Sequence, residues 1–315
     1  MKYALIFPGQ GSQEVGMGKD IQTAFKKAAD VFCRADDALS FSLSRIIFEG
    51  PEDELRRTAY TQPAILTMSL ACLSVLEEMV EAPLRPDFLA GHSLGEYTAL
   101  VAAGTLSLED GVRLVHLRGK LMQEAVPEGR GAMAAILGLD LPAVSAVCTE
   151  VAPEGECQPA NFNSPGQIVI SGETEFVQKA MALSKERGAK KVIPLNVSAP
   201  FHSRQMRPVA DKLLEAFEKC SWSDPSAPIV SNVKALPVSG VRDIQDALFH
   251  QTYMPVLWSD SVNLMANDGV ESFYEVGPGS VLGSLVKKCR KGLIAHSCGT
   301  LAELEKISLL LKEMV

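Results

Sequence analysis

The 315-residue chain has no Cys-x-x-Cys pair, although it carries seven cysteines, at positions 33, 72, 148, 157, 220, 289 and 298. An odd, scattered set makes a poor disulfide framework and a poor zinc framework, and it fits reduced thiols in a cytoplasmic protein. No apolar run approaches the about 18 residues that span a bilayer. The opening "MKYALIFPGQ" is apolar over too few residues for a secretory leader. Positive charge is also short: the net charge of −8 argues against nucleic acid as a partner, since phosphate binding needs an excess of Lys and Arg. No internal repeat or low-complexity tract is present. With 47% hydrophobic and 22% charged residues, the composition is that of a folded globule, which excludes extensive disorder. The length suggests two domains, or one large domain with an insertion.

Apolar runs of strand length alternate with helical patterns. "KYALIFPG" reads as a buried strand entering the Gly-rich loop "PGQGSQEVGMG", and a helix is predicted from about Gly18 to Ala35. "TQPAILTMSLACLSVLEEM" predicts a strong helix, with Thr61 or Gln62 as the cap and Pro63 in the first turn. "PDFLAG" predicts a short strand, and "LEDGVRLVHLRGKLMQEA" an amphipathic helix. This alternation predicts a parallel α/β sheet. The middle differs. "GAMAAILGL", "CQPANFNS", "GQIVISG" and "KKVIPLNVS" read as strands, with "DLPAVSAVCTEV" and "ETEFVQKAMALSKERG" as helices. Their β-α-β-β-α-β order is that of a ferredoxin-like unit. It is expected as an insertion at 128–197 within a larger domain formed by 1–127 and 198–315. After it, "APIVSNV" and "ESFYEVGPGSV" resume the strand pattern.

The chemistry begins at "LAGHSLGEYTALVAAG", residues 89–104. A lone Gly-x-Ser-x-Gly arises by chance in about one chain in ten at ordinary Gly and Ser frequencies. Here a strand precedes it and a helical run follows, which is the context of a nucleophile elbow. Gly91 and Gly95 permit the tight turn, with Ser93 strained at its apex and the Leu94 N–H among the free donors of a helix start. A hydroxyl nucleophile needs a base. Of the five histidines, His92 is adjacent to Ser93 and projects away from it, and His116 lies off its helix's apolar stripe and is expected at the surface. His202, at a domain junction, His250 and His296 remain candidates. Arg118 falls inside the stripe of Leu114, Leu121, Met122 and Ala125. A guanidinium there needs an anion, either a structural Asp or Glu or a substrate carboxylate, unless it snorkels to water.

"FPGQGSQ", "GHSLGEY", "HLRGKLMQ", "NFNSPGQIVISG", "VSAPFHS", "YMPVLW" and "YEVGPGSVL" together resemble the malonyl-CoA:acyl carrier protein transacylase family, in order from Phe7 to Leu282. The resemblance implies an α/β fold: an α/β-hydrolase-like large domain with an inserted ferredoxin-like domain. It implies Ser93 as the nucleophile and His202 as its base. The backbone N–H groups of Gln10 and Leu94 would form the oxyanion hole, and Arg118 would bind the malonyl carboxylate. The carbonyl of Gln251 would orient the histidine in place of a triad carboxylate. Phe201 resembles the ring found in malonyl-selective members, which leaves little room for an α-methyl branch. No metal or cofactor is implied. The substrates would be malonyl-CoA and the phosphopantetheine thiol of acyl carrier protein, with no nucleic-acid or membrane partner. A cytoplasmic, free-standing monomer feeding fatty acid synthesis is expected.

An acyltransferase serving a polyketide pathway, a serine esterase or thioesterase, and a silent carrier-binding scaffold are the other readings. Arg118 and the absence of an HGGG-type loop oppose the esterase. The carrier class is acidic, so a local basic patch is needed for attraction. "KERGAKK" (Lys185–Lys191) and "KKCRK" (Lys287–Lys291) are its candidates.

Overall fold

Two sheets organise the chain. The computed structural model describes residues 2–127, 129–197 and 199–313. Its strands are β1 (Lys2–Phe7), β2 (Phe88–Gly91), β3 (Gly131–Leu137), β4 (Cys157–Ser164), β5 (Gln167–Glu173), β6 (Lys191–Pro194), β7 (Ile229–Val230), β8 (Pro237–Val238), β9 (Val270–Val276) and β10 (Ile294–Cys298). The larger sheet has the order β10-β9-β1-β2-β7-β8. It is parallel except for the last pair, β7 with β8. "APIVSNV" thus supplies only a two-residue strand, because the chain folds back at once into β8.

Apolar residues on both faces of β1 explain its central place. Tyr3, Leu5 and Phe7 point into one core with the helix Thr58–Val80. Ala4 and Ile6 point into another with Trp258, Val262 and Phe273. A strand buried on both faces belongs inside a parallel sheet, where continuous apolar runs are stable. From β1 the chain passes to β2 on one side, while β9 comes to lie on the other. Such a switch point leaves a crevice beyond the carboxyl ends of the strands. Phe7 lies opposite Gly91 in the β1–β2 register, so the loops after both strands open into that crevice.

Two helical expectations change. The predicted Gly18–Ala35 helix is broken at Phe25, whose backbone is extended, into Lys19–Ala24 and Lys26–Leu39. The break lets Ile21 on one piece and Val31 and Phe32 on the other both face the core. The helix expected to be capped by Thr61 or Gln62, with Pro63 at its first position, starts earlier, at Thr58, with Pro63 inside it. A proline there leaves the carbonyl four residues back without its helical donor. His116 Nδ1 takes that place, 2.8 Å from the Ala59 oxygen. His116 is therefore half-buried with a partner, not the surface group expected. Thr58–Val80 is long and apolar enough to cross a membrane, yet 78% of its most apolar window is buried inside the protein.

The smaller sheet is antiparallel, in the order β4-β5-β3-β6. One face packs on the helices Leu141–Val151 and Thr174–Glu186 through Ile136, Ile170, Val147 and Val177. Met133, Ala135 and Val169 face the main core instead. β4 is also stitched to the larger part: Val256 N–H donates to the Ala160 oxygen at 2.9 Å, and Phe162 N–H donates to the Val256 oxygen at 2.8 Å. The expected boundary positions, 128 and 198, lie outside the described residues. All seven cysteines are free thiols; Cys72, Cys148, Cys157 and Cys298 are buried, whereas Cys33 is exposed.

Candidate active site

The turn after β2 carries the strain expected of it. Ser93 sits at φ 54, ψ −108, a region that side-chain-bearing residues rarely occupy and that a rigid surrounding must hold. A Cβ on Gly91 would run into the carbonyl of Gly95, and one on Gly95 into the carbonyl of Phe7. Both positions must therefore be glycine for the helix Leu94–Ala102 to close on β1 and β2. Asn232, just past β7, clips the turn from beneath. Its Oδ1 accepts from Ser93 N–H at 2.7 Å, and its Nδ2 donates to the Gly91 oxygen at 2.6 Å.

The Ser93 hydroxyl is 2.8 Å from His202 Nε2, and His202 Nδ1 is 2.8 Å from the backbone oxygen of Gln251. A carbonyl can only accept, so the Nδ1 position carries the hydrogen and Nε2 is left free to take a proton. His202 is buried. Burial, and next the charge of Arg118, lower its pKa to about 3, so the ring is neutral at ordinary pH. The other two candidates lie elsewhere. His250 is beside Asp246 on its own helix, and His296, in β10, stacks on Tyr274 of β9. His92 turns away from Ser93 and meets Asn163 Oδ1 of β4 through Nε2, at 2.8 Å.

Arg118, on the helix Leu108–Glu124, is only 1% exposed. Its hydrogen-bond acceptors are neutral oxygens: Gln62 Oε1 on Nη1 at 2.8 Å, and Gln251 Oε1 and Ser93 Oγ on Nη2 at 2.9 and 3.0 Å. Among the described residues it forms no structural salt bridge, the bland alternative that the sequence left open. The guanidinium lies over the Tyr97 ring, 5.5 Å from its centre. Burial lowers its pKa, and Tyr97 and Glu96 act in the opposite direction.

Gln10 and Leu94 line the same cavity, of about 1150 Å³, as do Ser93, His202 and Phe201. Neither the Gln10 N–H nor the Leu94 N–H has an acceptor among the described residues. The Gln10 side chain reaches Thr58 Oγ1 at 3.4 Å, and a Cβ on Gly9 would stand 2.7 Å from the His92 oxygen. That close approach sets the loop after β1 against the elbow. Four residues of the arrangement went unread in the sequence: Gln62, Glu96, Asn163 and Asn232. Glu96 and Asn232 did leave a signal, a charge within the apolar run after the elbow and an amide at the end of a strand. No cluster of three or more His, Cys, Asp or Glu among the described residues is placed to hold a metal ion.

The acyl transferase domain family model matches residues 4–306. The chain is 50% identical to the malonyl CoA-acyl carrier protein transacylase of Bacillus subtilis, over 93% of this chain and 92% of that one. The chain belongs to the malonyl-CoA:acyl carrier protein transacylase family. The Escherichia coli (strain K12) transacylase is 47% identical, over 94% of this chain and 95% of its own. In structure, the family member from Xanthomonas oryzae pv. oryzae superposes with a TM-score of 0.95 at 44% identity, covering 98% and 99% of the two chains. A malonyl-transacylase in complex with its type II polyketide acyl-carrier protein superposes with a TM-score of 0.93 at 44% identity, covering 96% and 98%. This transacylase family thus accounts for the two-sheet α/β architecture as well as for the ordered motifs.

Proposed function

We propose that the chain transfers a malonyl group from malonyl-CoA to the phosphopantetheine thiol of acyl carrier protein through a malonyl ester on Ser93. The observation that carries this reading is Arg118 Nη2, 3.0 Å from the Ser93 hydroxyl. A buried cation beside the nucleophile suits an acyl group that has a carboxylate of its own, because a guanidinium binds carboxylate with two parallel hydrogen bonds.

His202 Nε2 takes the Ser93 proton as the oxygen attacks the thioester carbonyl. The Gln10 and Leu94 N–H groups face the oxyanion. The carbon–sulfur bond breaks, and the coenzyme A sulfur leaves with the proton that His202 returns. The carrier thiol then gives its proton to His202 and attacks the ester, and Ser93 leaves with that proton. The substrate carboxylate offsets the Arg118 charge, which is one of the two main causes of His202's low basicity. Malonyl groups therefore relieve part of that depression, and acetyl groups do not. Phe201, buried at the cavity wall, would be the ring that leaves little room for an α-branch. The steps use only this chain's own groups, one thioester substrate and one thiol substrate. We place the reaction in the cytoplasm, serving fatty acid synthesis.

Incubation with radiolabelled malonyl-CoA tests the reading. A stable label that Ser93→Ala abolishes and holo carrier protein removes is expected. Prompt release of free malonate would instead make the chain a hydrolase, and no label would make it a scaffold.

A further inference from the structure

We infer that Glu96 is a positioning residue, which fixes the direction of the Gln251 side-chain amide and through it holds Arg118 beside Ser93. The inference rests on the proposed role of Arg118. Glu96 lies three residues after Ser93, in the first turn of the elbow helix, and is only 2% exposed. It is not among the residues that line the cavity. Its Oε2 accepts from Gln251 Nε2 at 3.0 Å and from Asn232 N–H at 3.2 Å. Gln251 Nε2 also donates to the Ser93 carbonyl at 2.7 Å, while Gln251 Oε1 accepts from Arg118 Nη2 at 2.9 Å.

A primary amide has a donor end and an acceptor end, and nothing in its shape distinguishes them. Its neighbours must do so. Arg118 can only donate, and the Ser93 carbonyl can only accept. Glu96 adds a second acceptor on the donor side. Reversing the amide would set N–H against guanidinium N–H, and a carbonyl oxygen against two acceptor oxygens. Gln62 holds Nη1 and Gln251 holds Nη2, so the plane of the guanidinium is set before any acyl group arrives. Glu96 also bonds the backbone of Asn232, the residue that clips the elbow turn. The turn itself is held by the Asn232 side chain, so the task left to the carboxylate is the direction of the Gln251 amide.

The test compares acylation of Ser93 by malonyl-CoA and by acetyl-CoA in the full-length protein. Wild type, Glu96→Gln, Glu96→Asp and Arg118→Ala are measured, with thermal unfolding of each. Glu96→Gln keeps an acceptor at the same reach, so its malonyl-to-acetyl rate ratio should stay within about threefold of wild type. Glu96→Asp keeps the carboxylate but withdraws it by about 1.5 Å. Its ratio should fall about tenfold or more, through the malonyl rate, with acetyl acylation little changed. A Glu96→Asp protein that unfolds at the wild-type temperature and keeps the wild-type ratio overturns the inference. So does a parallel loss of both acyl rates, or a Glu96→Gln ratio as low as that of Glu96→Asp. If Arg118→Ala also leaves the ratio unchanged, the reading of Arg118 fails together with the inference. A ratio lost in Arg118→Ala but kept in Glu96→Asp removes the inference alone.

Discussion

At the scale of single residues, Ser93, His202 and Arg118 share one proton and one charge. His202 carries its pKa near 3 because its ring is buried and Arg118 is close. Between that value and the ordinary 6.5, the unfolded chain binds a proton that the folded chain does not, so the site's neutral histidine is the native form throughout. The kcat/KM profile for malonyl transfer should then show no acid limb near pH 6.5; an inflection there, measured by stopped-time assays across pH 5–8, would contradict the assignment. Arg118→Ala should lower malonyl acylation by about a hundredfold while sparing or improving acetyl acylation; equal losses would make Arg118 a structural residue. Glu96 titrates in the opposite sense from His202. Burial raises its carboxyl to about 7 from 4.5, against the pull of its bonds to Gln251 and Asn232 and of Arg118. The folded state holds the extra proton, so this contribution is complete below pH 4.5 and is lost as pH rises through 7. At about 1.4 kcal/mol per tenfold in proton affinity, the effect is about 3 kcal/mol. Denaturant unfolding should show Glu96→Gln gaining on wild type by roughly that amount between pH 4.5 and 8.

At the scale of elements, the elbow depends on backbone contact more than on helix propensity. The Gly95 position packs directly on the Phe7 carbonyl. Gly95→Ala should cost about 1–3 kcal/mol or more and slow Ser93 acylation, as checked by denaturant midpoint and by label incorporation. The core helix shows the converse case, in which a tertiary partner rescues a local fault. Pro63 frees the Ala59 carbonyl, and His116, 57 residues away, supplies the donor. His116→Ala should lower stability by about 1–2 kcal/mol with little effect on malonyl selectivity. Periodicity alone put the helix start at the proline because the first turn is the usual place for one. The extra turn was not legible, since the donor that permits it comes from another helix.

At the scale of the whole molecule, the crossover at β1 opens the crevice, and the smaller sheet covers it. β4 is bonded to Val256 of the larger part, and Met133 of β3 lines the cavity. The two lysine runs also come together across this assembly. Lys288 Nζ donates to Gln167 Oε1 at 3.2 Å. The neighbouring Gly166 carbonyl accepts from Gly138, and Lys190 N–H bonds the Leu137 carbonyl beside it. These contacts bring Lys288 and Lys190 to neighbouring strand ends of the smaller sheet, and a basic patch there would attract an acidic carrier. Charge reversal at Lys190 and Lys191 should raise KM for carrier protein with little change in KM for malonyl-CoA; an unchanged carrier KM would exclude this patch as the docking surface.

Local chemistry made much of this legible without coordinates. Gly91, Ser93 and Gly95 are close neighbours in the chain, and a tight turn between a strand and a helix depends on just such neighbours. The βαββαβ order of the smaller sheet was readable for the same reason, since each of its elements has its own periodicity. The ordered motifs carried the family, and with it His202 and Arg118. Only the tertiary structure decided what surrounds them. Gln62, Glu96, Asn232 and Gln251 come from four separate segments, and nothing local to any one of them names the others as its partners. They acquire direction when burial removes water and leaves each donor only the acceptors that the fold sets beside it, so their joint hold on Arg118 and the Ser93 turn exists only in the folded chain.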